Sequence, residues 1–195
     1  MRRQNLQANE DLQLNREQLI HNVSKIIIDH VEEAQRLIPV PTEASKLFHE
    51  YNFILHKWHI QTANGYSSTM PLFYFYFEKE PYEETHPKHQ DVIKFMRYVM
   101  DKMQLTTECI VISLIYLEQI MINGKLEIRD FNWKPLVFTA ILLASKFWED
   151  IIWYNIDFVE TLGIYPLKSI NRMESEFVSL CDYNIYVSAE KYIDY

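Results

Sequence analysis

Histidines and cysteines are the residues from which a metal or nucleophilic site would be built, and their spacing in this chain builds none. His56 and His59 stand three apart, a separation that two ligands on one helix face can share. No acid or cysteine falls on that face to complete a set, and His21, His30, His49, His86 and His89 are scattered. Cys109 and Cys181 lie among apolar neighbours with neither metal nor disulfide spacing. They read as reduced core thiols in an intracellular protein, of the cytoplasm or the nucleus. The acid pairs Glu32–Glu33 and Glu83–Glu84 read as solvated faces. His-Glu-x-x-His, Cys-x-x-Cys and Gly-x-Ser-x-Gly are all missing, and the three glycines cannot form a phosphate loop. The residues point to no enzyme, no cofactor, no metal and no small-molecule substrate.

Two charged residues ask for a different explanation. "ILLASKFWED", residues 141–150, runs apolar for a full turn and a half and then presents Lys146. A lysine is costly to bury without a partner. At the C-terminal end of a helix it can snorkel to water, where the helix dipole favours a cation. It can also meet an anion. Glu174 directly follows the apolar Met173, on the border of a later helix's buried stripe. If those two helices lie side by side, Lys146 and Glu174 meet at one end of a bundle. Flanked by Phe147, Trp148 and Tyr183, the pair makes a patch that is apolar around a charged centre, the make-up of a protein–protein hot spot.

The elements that must position this pair are helical. Gly is 3 and Pro 7 in 195 residues, too few turns for a sandwich or barrel, while hydrophobic residues reach 48% and supply a large core. Residues 1–13 are polar and read as frayed. From Arg16 to Leu37, Leu19, Val23, Ile26, Ile27, Val31 and Ala34 recur at helical steps, and Pro39 and Pro41 end the pattern. A weaker helix is predicted from Glu43 to His59, capped by Thr42. Gly65 to Thr69 is a loop, and the aromatic run at 72–77 is either a strand or an extended segment.

Beyond Pro87 the pattern becomes regular. Val92, Phe95, Met96, Val99, Met100 and Met103 form one stripe. A second helix, capped by Thr106 with Glu108 in its first turn, runs to the break at Asn123–Lys125. A third starts near Asn132 with Pro135 in its first turn. Its stretch from Leu136 to Ala144 is apolar on nearly every face and must sit at the centre of the bundle. A fourth runs from about Ile156 to Leu162 and stops at Gly163. The fifth starts at Pro166 and carries Ile170, Met173, Phe177 and Leu180 inward. The fold class is all-α: five helices around a central third, preceded by N-terminal helices. The expected organisation is an N-terminal helical extension over 1–85 with an aromatic loop, the bundle over 86–187, and a short end over 188–195.

The net charge of -8 disfavours phosphate backbones, so no nucleic acid is expected. No uncharged apolar run is long enough to span a bilayer, and residue 2 is Arg where myristoylation needs Gly, so no membrane anchor is expected.

The segments "QLTTECIVISLIYLEQIM" (104–121), "NWKPLVFTAILLASKFWED" (132–150), "WYNIDF" (153–158) and "INRMESEFVSLCDYNIYVS" (170–188) occur in order at cyclin-box spacing. On these residues the chain resembles the cyclins, most closely the cyclin Y form, with the Pho80-like or plant P-type group second. The resemblance covers roughly residues 86–195 and, more loosely, the helix from Arg16 to Leu37. It implies a single five-helix cyclin box and no catalytic activity. The implied role is that of a cell-cycle-type regulatory subunit in a heterodimer with a cyclin-dependent protein kinase of the PCTAIRE or PFTAIRE kind. By resemblance, Lys146 and Glu174 grip the backbone beside the kinase αC helix, and Leu143, Phe147, Val178 and Tyr183 supply the flanking apolar contacts. A protein scaffold with this fold and a non-kinase partner is the alternative. The first box helix, "HQDVIKFMRYVM", has Phe95 where substrate-docking cyclins carry a tryptophan, so docking by that route is not implied. The helix from Arg16 either packs on the kinase, the reading favoured here, or covers the bundle.

Overall fold

The computed structural model describes residues 2–39, 41–53, 57–62, 73–78, 85–123 and 126–195. Its elements in chain order are α1 (Arg2–Gln35), α2 (Glu43–Leu47), a 3-10 turn (Glu50–Phe53), β1 (Lys57–Thr62), β2 (Phe73–Glu78), α3 (His89–Lys102), α4 (Glu108–Ile122), α5 (Trp133–Trp148), α6 (Asn155–Leu162), α7 (Leu167–Leu180) and α8 (Ala189–Ile193). The box is helical throughout, and the fold is all-α apart from the one described hairpin.

Helix α5 is the axle. Every residue from Leu136 to Ala144 is at most 1% exposed. With α3, α4 and α7 packed on it, no polar face was affordable, and the uniform apolarity of the segment follows. Its one polar side chain in that run, Thr139, donates its hydroxyl to the Pro135 carbonyl at 2.7 Å, so nothing is left unpaired. Phe138 stands edge-on to both Phe158 of α6 and Tyr165 of the α6–α7 turn. Asn132 folds the entry to α5. Fully buried, it accepts the Arg129 N–H at 2.7 Å and donates to the Glu127 carbonyl at 2.9 Å. Gly163, at φ +62°, turns the chain out of α6 in the left-handed conformation that glycine adopts without strain.

Helix α1 covers the bundle. Ile20, Val23, Ile27, Val31 and Ala34 are buried, and the helix packs against α3 and α4 within one continuous core. Glu17 holds Arg97 of α3 by two hydrogen bonds, 3.1 and 2.5 Å, and Arg16 meets Asp101 at 3.0 Å. The inner face is therefore committed to the bundle, and contact with a kinase would fall to the outer face.

Three local expectations are corrected. Residues 2–13 continue α1 instead of fraying. Thr42 does cap α2, accepting the Ser45 N–H at 3.0 Å, but α2 ends at Leu47 and does not reach His59. There the Asn52 amide donates to the carbonyls of Lys46 and Leu47, which a longer helix would have used internally. Further on, Lys57–Thr62 pairs antiparallel with Phe73–Glu78 in a register running from Lys57 opposite Glu78 to Thr62 opposite Phe73. The aromatic run is thus a strand, as β-branched and aromatic content allows. Third, Thr107 and not Thr106 stands at the N-cap position of α4, and its side chain makes no capping hydrogen bond. His56, the loop at 65–69, Glu83–Glu84 and residues 124–125 lie outside the described residues. So does the side chain of His59.

Candidate kinase-docking site

The site is built where α5 ends, α6 begins and α7 passes beside them. Lys146 lies in the last turn of α5, and its Nζ donates to Glu174 Oε1 of α7 at 2.6 Å. Both side chains are about four-fifths covered, at 21% and 23% exposure. The lysine does not simply snorkel; it is paired across two helices, and the anion that the apolar stripe brought to the border of α7 is the one it meets. Glu174 Oε2 is taken as well, accepting Asn155 Nδ2 at 2.6 Å. The same amide nitrogen donates to Asn171 Oδ1 at 2.7 Å. Asn155 opens α6, where Asp157 Oδ2 accepts the Tyr154 N–H at 2.7 Å and fixes the helix start.

Around this polar centre the structure leaves apolar surface uncovered. Phe147 is 57% exposed and Trp148 is 43% exposed, directly after Lys146. Trp148 stacks on Tyr192 with centroids 5.7 Å apart. Phe147 and Trp148 line a groove of about 350 Å³ with Ile112, Tyr116, Ile185, Tyr186 and Val187. The far wall is tied down by Tyr116, whose hydroxyl donates to the Ile185 carbonyl at 2.7 Å. Ile151, Ile152 and Tyr154 continue the exposed apolar run between α5 and α6. Tyr183 is 75% exposed beyond the end of α7, thrown outward by two successive left-handed residues, Asp182 and Tyr183 itself. That conformation is uncommon for a bulky side chain and marks a shaped turn.

Of the residues singled out from sequence, Lys146 and Glu174 are in direct contact, and Phe147 and Tyr183 are exposed. Val178 lies one turn beyond Glu174, half-buried against the core. Leu143 is corrected. It is fully buried and supports the end of α5 from beneath, with no surface to offer a partner. Asn155, Asn171 and Glu149 were not foreseen. Asn171 precedes Glu174 by three on one helix, a same-face spacing that was there to be read. Glu149 caps α5 and reaches to α4, where its Oε1 accepts the Thr106 N–H at 2.6 Å and faces Cys109 Sγ at 3.2 Å. It supplies an acceptor at the α4 N-terminus, the capping role expected of the Thr106 side chain, and adds a second anion there to Glu108. Burial, with the Glu149 carboxylate beside it, pushes the Cys109 thiol well above its usual range.

Among the described residues no group of three or more His, Cys, Asp or Glu could hold a metal ion. No described helix is long and apolar enough to cross a membrane.

An all-helical box with a buried axle and a charged pair framed by exposed aromatics is the make-up of a protein-binding regulator. The cyclin family model matches residues 26–185, so the chain belongs to the cyclins. The match starts within α1 and ends past α7. Cyclins are regulatory proteins, typically of kinases.

Proposed function

We propose that this cyclin binds a cyclin-dependent protein kinase in the cytoplasm or nucleus and activates it by holding the αC helix in its active position. The observation that carries the reading is the Lys146–Glu174 pair, preformed at 2.6 Å in a surround of exposed Phe147 and Trp148. A cation and an anion fixed together offer one donor and one acceptor to a peptide backbone, and the aromatics offer the desolvated rim that makes such contacts count. A kinase needs its β3 lysine paired with the αC glutamate before phosphoryl transfer proceeds. A partner that binds only the αC-in state shifts the population toward it. The rigid platform for this is α5, buried along its length. The likeness of residues 132–158 to the cyclin Y form favours a PCTAIRE- or PFTAIRE-type kinase, with a kinase of the P-type cyclins as the alternative partner.

The test is capture of partners from lysate of the source organism on the immobilised wild-type chain and on a Lys146→Ala, Glu174→Ala double variant, with identification by mass spectrometry. A cyclin-dependent kinase retained by the wild type and lost from the variant is the expected result. Losing one side of a desolvated charged contact costs about 2–5 kcal/mol, so each single variant should bind at least roughly tenfold more weakly. A kinase that survives the double substitution would remove the pair from the interface. Capture of non-kinase proteins alone would favour the scaffold reading.

A further inference from the structure

We infer that Asn155 is a positioning residue of this docking surface, fixing the Glu174 carboxylate so that the Lys146 pair is set before any partner arrives; the inference rests on the docking reading above. Both hydrogens of the Asn155 amide are in use, one on Glu174 Oε2 at 2.6 Å and one on Asn171 Oδ1 at 2.7 Å. The orientation of the amide is dictated by chemistry. An ionised Glu174 can only accept, so turning the amide over would set oxygen against oxygen. What remains is Asn155 Oδ1, which is buried and has no hydrogen-bond partner. A buried unpaired acceptor costs stability. It is the price of turning both donors toward α7, and it marks an arrangement kept for something besides its own satisfaction.

The consequence for Glu174 is that both of its oxygens are anchored. Oε1 takes the Lys146 ammonium and Oε2 takes the amide, so the carboxylate is not free to swing toward water, while each oxygen keeps lone-pair capacity for a partner. Without Asn155, Glu174 regains that freedom and Lys146 can follow its own stem to solvent. Docking would then have to order both long side chains at the moment of binding, and affinity falls by that ordering cost. Neither Asn155 nor Asn171 needs to touch the partner for this to hold.

A double-mutant cycle separates positioning from a general structural role. The kinase retained by the wild-type chain is purified, and its Kd is measured by surface plasmon resonance for Asn155→Ala in the wild-type chain and in the Glu174→Ala chain. Expected is a loss of about tenfold in the wild-type chain, as for a hydrogen bond to a charged group. In the Glu174→Ala chain the same substitution should cost less than about twofold, because its target is gone. Asn155→Ser, whose donor is too short to bridge both neighbours, replaces the alanine variant if that one does not fold. An unchanged Kd in the wild-type chain, or an equal loss in both backgrounds, overturns the inference while leaving the docking site in place. If Lys146→Ala and Glu174→Ala themselves bind as wild type, or no kinase is retained at all, the docking reading falls and this inference with it.

Discussion

Lys146→Met asks whether the pair at the end of α5 is a strut or a handle. Methionine keeps the apolar stem and removes the charge. The structure sets the size of the effect on folding. Both partners retain about a fifth of their surface, 21% and 23%, so solvent screens the pair and the heavy penalty of a sealed ion pair does not apply. Glu174 also keeps the Asn155 donor at 2.6 Å when the ammonium is gone. The expected loss of folding stability is therefore about 1 kcal/mol, at the upper end of what partly exposed pairs contribute. For a chain of this size that lowers Tm by about 2–4 °C. Thermal unfolding followed by circular dichroism at 222 nm measures it, alongside the Kd for the captured kinase. The expected signature is a small fall in Tm with at least roughly a tenfold rise in Kd. A fall in Tm beyond about 10 °C would refute the reasoning, because the pair would then be holding the bundle together and any lost binding would report a damaged fold.

Other positions test the frame around it. Phe138→Ala, at a site with no exposure and two edge-on aromatic neighbours, should cost about 3–5 kcal/mol in chemical denaturation. Gly163→Ala meets no steric obstacle, since an added Cβ has nothing within 4 Å, so only the left-handed backbone penalty of about 1 kcal/mol should appear. A much larger loss would mean that the turn is packed more tightly than described. Asn132→Ala strands the Arg129 N–H and the Glu127 carbonyl and should cost about 1–3 kcal/mol by urea denaturation. Cys109 should stay unreactive toward a disulfide reagent at pH 8 in the folded chain and react at once in denaturant, because burial and Glu149 keep its proton on. Rapid labelling of the native protein at Cys109 would contradict the packing of α4 on α5.

What was legible in the sequence was whatever periodicity and burial decide locally. The all-apolar run of α5 announced its central place, since no helix with a solvent face is written that way. Glu174 could be placed beside Lys146 because the α7 stripe fixes which face looks inward. The α6 stop was readable because Gly163 performs it alone. The misses came from partners distant in sequence. Nothing near Thr106 says that Glu149, 43 residues on, supplies the capping acceptor for α4. Nothing near Leu47 says that the Asn52 side chain closes α2. Leu143 was assigned by resemblance to the docking surface, yet it sits one turn before Phe147 and Trp148 and faces the core. Asn155 was overlooked because its work is done through Glu174, on another helix.

The way α1 lies over α3 and α4 has a consequence for synthesis. The residues that α1 buries, Ile20 to Val31, leave the ribosome well before α4 is complete at Ile122. At about 5–20 residues per second, roughly 5 to 20 s pass before both of the helices that cover that apolar stripe, α3 and then α4, have been made. During that interval it is a natural client for chaperones. The segment translated early thus waits on partners translated later.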